Sequence, residues 1–150
     1  MKKQIISVFI ALTSTLSVHS QTGIGTNTPN SDLEVKGAVA LAVRSSTGAT
    51  SLDINDNVLL FTGTSSATIT LPIAVTCTGR IYWIKNASTT LPVPICTIAT
   101  SVSEAIEGQS TWLLDEPNEV IRLVSDGSTW QVYSQNVAVR KTTTIGTPWI

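Results

Sequence analysis

The stretch Val120-Ile121-Arg122-Leu123-Val124-Ser125-Asp126-Gly127-Ser128-Thr129-Trp130-Gln131-Val132-Tyr133 decides the fold class. Residues Glu119 to Val124 alternate around Ile121 and Leu123, the period of a strand with one buried face. Asp126-Gly127 is a hairpin-type turn, because glycine accepts the positive φ such turns require. Trp130 to Tyr133 reads as the returning strand.

Working outward, the same grammar recurs. Val58-Leu59-Leu60-Phe61 is a short buried run. Ala67-Thr68-Ile69-Thr70-Leu71 alternates with period two and stops at Pro72. Arg80 to Lys85 is rich in β-branched and aromatic residues and stops at Asn86. Val93 to Ala99 is a further run, interrupted by Pro94, and Thr111 to Leu114 is a short one. No window of a dozen residues keeps apolar positions at i, i+3, i+4 and i+7. Ser103 to Glu107 reads as a short strand rather than a helical turn. Short strands separated by turn residues predict an all-β fold, a β-sandwich or jelly-roll-like head.

The N-terminal side reads differently. Gln21 to Ser31 is polar and rich in Gly, Thr, Asn and Pro, an extended lead-in. Leu33 to Lys36 alternates and ends at Gly37. Ala38 to Val43 is a small-residue apolar run with the length of a short strand, and Ser45 to Ser51 reads as a linker. Ahead of all this, Lys2 and Lys3 precede the apolar stretch Ile5 to Leu12, with Val18 and Ser20 at −3 and −1 of a cut before Gln21. That order is expected of a secretory signal peptide, and the apolar run is too short to span a bilayer as a helix. The expected organisation is a signal at 1–20, a stem at 21–51, a head at 52–136 and a C-terminal arm at 137–150. The expected location is extracellular or at the outer cell surface, with the periplasm open.

Composition narrows the function. Ten acids and nine bases give −1, and without Lys2 and Lys3 seven bases remain, giving −3. No basic cluster survives, which disfavours nucleic acid and anionic membrane surfaces as partners. The sole histidine is His19, inside the expected signal. An exported chain therefore lacks the imidazole of nucleophile–base systems and of His-based zinc sites. Carboxylate pairs, Glu104 with Glu107 and Asp115 with Glu116, are the remaining route to hydrolysis, which needs two carboxyls across a sugar bond. Their spacing does not favour that over solvated charges, so no enzyme and no cofactor are expected.

Other candidates are few. The Asp53-Ile54-Asn55-Asp56-Asn57 cluster offers hard oxygen ligands, but lacks the glycine and distal glutamate of a calcium loop and reads as an Asx-capped turn. Gly23-Ile24-Gly25-Thr26 opens like a phosphate loop, without the strand before it or the Gly-Lys-Ser/Thr after it. Cys77 and Cys96 are the only cysteines, either a disulfide of an exported chain or two buried thiols. Among four tryptophans, Trp83 and Trp130 fall in strong strand patterns and are expected in the core. Trp112 and Trp149 are the candidates for ligand or subunit contact. Asn86-Ala87-Ser88 matches a glycosylation acceptor by chance.

Two segments carry a resemblance. Gly23, Ile24, Gly25, Thr26, Pro29, Leu33, Glu34, Val35 and Gly37 resemble a motif near the mature N-terminus of exported fibre-like proteins of Gram-negative bacteria, some related to tail fibres. The segment from Val58 to Tyr133, through ATITLP at 67–72, GRIYWIKN at 79–86, AIEG at 105–108 and VIRLVSDGSTWQVYS at 120–134, is similar to a small β domain of phage tail fibres and related surface proteins. The resemblance implies a homotrimer with a thin stem and a β-rich head, acting as a structural or adhesive module towards a surface receptor or glycan. Physics points the same way: a chain of many short strands and few charges must cover its sheet edges, and cyclic assembly does so without open-ended growth. The rival readings are a monomeric carbohydrate-binding module with Trp112 exposed, a carboxylate hydrolase, and a phage-derived receptor-binding protein.

Overall fold

The computed structural model describes residues 21–136. The expected signal peptide and the C-terminal arm, with Trp149, lie outside the described residues. The chain divides into two compact units, Met1–Ala40 and Leu41–Ile150.

In the first unit, β1 (Thr22–Ile24) pairs in parallel with β2 (Leu33–Val35). Parallel neighbours ordinarily need a long crossover. Here the return is short because two glycines permit it. Gly25 sits at φ 74, and a Cβ there would lie 2.9 Å from the Lys36 carbonyl oxygen. A Cβ on Gly23 would lie 2.5 Å from the Thr26 carbonyl oxygen. The Thr22 N–H donates to Asp32 O (2.7 Å), the Lys36 N–H to Ile24 O (2.9 Å), and the Asn30 N–H to the Glu34 carboxylate (2.7 Å). The lead-in motif thus encodes a closed parallel β-loop instead of an irregular segment.

The second unit contains β3 (Val43–Ser46), β4 (Thr50–Ser51), β5 (Val58–Phe61), β6 (Ala67–Leu71), β7 (Ile81–Asn86), β8 (Cys96–Thr100), β9 (Thr111–Leu114), β10 (Val120–Ser125) and β11 (Trp130–Asn136). They form a five-stranded sheet, β11-β10-β7-β5-β3, and a four-stranded sheet, β4-β6-β8-β9. The all-β expectation holds. From β3 to β8 the chain crosses from one sheet to the other at each step, so β3, β5 and β7 pair in parallel, as do β4, β6 and β8. Only β9, β10 and β11 add antiparallel strands. This winding differs from the antiparallel Greek keys of a jelly roll. It also places two strands, β3 and β4, where the sequence suggested mainly linker.

One apolar core fills the space between the sheets. Leu59, Phe61, Tyr82, Ile84, Ile121, Leu123 and Trp130 come from the larger sheet, and Ile69, Leu71, Cys96, Ile98 and Leu114 from the smaller. Strand alternation sends every second side chain inward, which is why the period-two runs form the core. Trp130 and Tyr82 meet with ring centroids 5.5 Å apart, and the Trp130 Nε1–H donates to Pro72 O at 3.1 Å.

Polar groups close the two ends of the winding. At the β3–β4 end, Arg44 Nε donates to Asp56 Oδ1 (2.7 Å) and its Nη2 to Asp56 Oδ2 (2.9 Å), while Nη1 reaches Thr50 Oγ1 (3.0 Å). This fork ties edge strands of both sheets. The hydrogen bond to Arg44 holds the Asp56 carboxyl below the usual range, against the opposing effect of burial. At the other end of β7, the fully buried Asn86 donates to Pro94 O and Leu114 O, each at 2.9 Å. Its burial removes the Asn86-Ala87-Ser88 acceptor from solvent.

Replacing Asn86 by alanine deletes the buried donor to both carbonyls. The expected loss is about 1–3 kcal/mol of folding free energy, the cost of one buried group left unpaired. Urea unfolding checks it; a loss under about 0.5 kcal/mol would mean that water replaces the amide.

Candidate binding surface

The β8–β9 connection, residues 101–110, carries a surface cleft. The cleft is open, with a volume of about 540 Å³, and is lined by Ser101, Ser103, Glu104, Gln109 and Ser110, among others. The loop is held from beneath. Ile106 is fully buried and bridges to Gln109 and to Trp130. Ile106 and Gln109 exchange backbone hydrogen bonds of 2.8 and 2.9 Å across a turn whose central residues, Glu107 and Gly108, have φ 49 and 77. Two positive φ values in succession are those of a type I′ turn. Trp130 adds two further bonds, accepting from the Glu107 N–H (2.8 Å) and donating to Ala105 O (3.0 Å). Thr100 Oγ1 donates to the Val102 and Glu104 carbonyls.

The carboxylates singled out in the sequence serve as backbone acceptors. Both oxygens of Glu104 receive the Ala74 N–H, at 3.1 and 3.0 Å, which fixes the loop to the 3-10 turn at Ala74–Thr76. Glu107 Oε2 receives the Val132 N–H at 2.9 Å. The buried Glu119 receives the N–H groups of Asp115 (3.0 Å) and Glu116 (3.3 Å) through one oxygen and Gln135 Nε2 (2.7 Å) through the other. Glu104 and Glu107 are bound to different elements, and Asp115 and Glu116 lie exposed on the β9–β10 connection. The Asp53–Asn57 segment is a capped turn: Asp53 Oδ1 accepts from the Asn55 N–H (2.7 Å) and Asp56 Oδ2 from the Asp53 N–H (3.0 Å). Among the described residues no group of three or more His, Cys, Asp or Glu is placed to hold a metal ion.

Both thiols are free, so the disulfide left open by the cysteine count is not formed. Cys96 lies level with Ala67 at the start of β6, whereas Cys77 follows the far end of that strand. The length of β6 alone separates them by about 13 Å, at roughly 3.3 Å per residue, beyond the roughly 7 Å that a disulfide tolerates between Cα atoms. Trp112 is partly buried and packs against the core, so it is not the open stacking platform the sequence allowed. Trp130 is in the core as expected. Trp83 is not: it lies on the outer face of the larger sheet with the Arg122 guanidinium 4.4 Å from its ring centroid. The segment Ser103 to Glu107, expected as a short strand, is instead part of this loop with only isolated bridges at Ile106, since its anchoring groups come from distant strands. No protein-family model matches this chain, and no curated protein matches it by sequence. No helix among the described residues is long and apolar enough to cross a membrane.

Two titrations follow from this geometry. Burial, with Glu119 nearby, pushes the Cys96 thiol up to about 12. A native chain at pH 8 should therefore react with a thiol reagent at Cys77 first and at Cys96 only on unfolding; equal rates would contradict the placement of Cys96. At the β10–β11 turn, the N–H groups of Thr129 and Ser128, with the Gln131 amide, bring Asp126 down to about 2. A depressed carboxylate favours the fold above its ordinary pKa near 4, and that contribution is lost as pH falls towards 2. Carbon-13 NMR titration of Asp126 reads the midpoint; a value near 4 would show that the turn does not hold the ionised form.

Proposed function

We propose that this chain is an exported, non-enzymatic surface module of the fibre-like type, a structural or adhesive head that assembles as a trimer and binds through its loops. The observation that carries the reading is the division of labour in the 101–110 loop. Its acids are committed to backbone N–H groups, while the side chains of Ser101, Ser103, Gln109 and Ser110 have no intramolecular partner among the described hydrogen bonds. Uncommitted hydroxyls and an amide on a firmly anchored loop are suited to neutral, hydroxyl-rich ligands such as surface glycans. Such contacts are individually weak, and three copies would gain by effective concentration without any new contact. The packed position of Trp112 weighs against a stacking carbohydrate-binding module, and the committed carboxylates weigh against a hydrolase.

A glycan array probed with the exported chain tests the adhesive role. Binding to neutral glycans that falls at least tenfold in a Gln109→Ala, Ser103→Ala double variant is expected. Binding that is indifferent to these changes would remove the loop from the proposal, and release of a cleaved sugar would replace it with catalysis.

A further inference from the structure

We infer that the outer face of the five-stranded sheet is an interface for a second copy of this chain. The inference rests on the trimeric reading above and deepens it by naming the surface.

The two outer faces of the unit differ in chemistry. Register places Thr68, Thr97 and Leu113 in one row across the smaller sheet and Thr70, Ala99 and Thr111 in the next. That face is mostly hydroxyl and methyl, as expected of a strand surface left in water. Across the larger sheet, Val43, Val58, Trp83, Arg122 and Ser134 form one row. Ser45, Leu60, Lys85, Val120 and Asn136 form another, and Ile81, Val124 and Gln131 a third, so the apolar side chains occupy the middle strands and polar ones the margins. Those on β5, β7 and β10 alternate with buried core residues and so point away from the core, and Val43 lies level with Val58 on the edge strand. Val43 is 62% exposed and Ile81 41%. An apolar sheet face of this extent marks an interaction site on a folded protein.

Charge identifies the occupant. The only charged side chains in these rows are Lys85 and Arg122, with Arg122 laid over Trp83. From Leu41 to Asn136 the chain has four bases (Arg44, Arg80, Lys85, Arg122) and eight acids. A second copy therefore offers what this face lacks. Asp115 and Glu116 are exposed just beyond Leu113, an exposed apolar residue on edge strand β9. An apolar residue flanked by acids on one copy matches an apolar face flanked by cations on the next. The two patches are different surfaces of one chain, so the contact is head-to-tail, and a trimer requires the rotation between successive copies to close a ring of three. In the same stroke the contact shields the unpaired edge of β3, where Val43 lies.

The experiment compares the native mass of the exported chain with that of Ile81→Glu, Val43→Glu and a control outside both patches, Ser65→Glu on the exposed β5–β6 connection. Near-UV circular dichroism of the Tyr82–Trp130 pair checks folding. Val43 is largely exposed, so its variant keeps the test valid should Ile81→Glu fail to fold. The expected result is an oligomer for the parent and control, and association at least tenfold weaker for both face variants. An oligomer that survives both face substitutions overturns this interface and leaves the trimeric reading standing. A monomeric parent overturns the trimer itself, and the interface with it.

Discussion

Backbone hydrogen bonding at the crossings between sheets is the constraint on which the rest of this structure depends. A chain that switches sheets at each step must leave one ladder before joining the other, and at each switch N–H and C=O groups lose their strand partners. Here side chains replace them. Asp56 holds the turn before β5, Asn86 the exit of β7, Glu104 the turn at Ala74, and Glu119 the approach to β10. Ser125 Oγ likewise donates to Ala74 O at 2.7 Å. Among the described residues every buried side-chain nitrogen or oxygen finds a partner. The apolar core can therefore be continuous without stranding polar atoms inside it.

This use of polar side chains shapes what the surface can do. Charge is scarce, at 13% of the sequence, and several of the acids accept backbone N–H groups. A carboxylate held in that way is poorly placed to exchange protons with a substrate. What remains uncommitted is mainly hydroxyl and amide, the chemistry of weak, neutral recognition. The reading as a surface module and the structural role of the acids are thus two sides of one allocation. Repetition across copies is the natural means of raising the strength of such binding.

The same allocation explains why the two sheets present different outer faces. The four-stranded sheet places mainly threonine and alanine outward, with Leu113 exposed on its edge strand. The five-stranded sheet places valine, leucine, isoleucine and tryptophan outward in its middle strands, with Lys85 and Arg122 among them and the Arg122 guanidinium over the Trp83 ring. Its strand β5 is apolar at every position and β7 through Ile84, the pattern of strands covered on both faces. Inside one unit only a single face is covered by the core.

Strand placement was legible because alternation is local. The runs 58–61, 67–71 and 111–114, and the turn at Asp126-Gly127, are fixed by side-chain period and by residues that accept unusual φ. The single histidine, at position 19, and the sparse charge were equally direct readings of composition. Parallel pairing was not legible, since the period of two is the same for either direction, and the partner of each strand is chosen by which residues share the core. The brief β3 and β4 were hidden in a Ser/Thr/Gly stretch because Arg44 and Asp56, twelve residues apart in sequence, define them only when they meet. Trp83 and Trp130 look alike in a strand pattern, yet one faces out and the other in. Tertiary structure alone decided these matters, because each depends on contacts between residues far apart in the chain, whereas the sequence could declare only what neighbours along the backbone impose on one another.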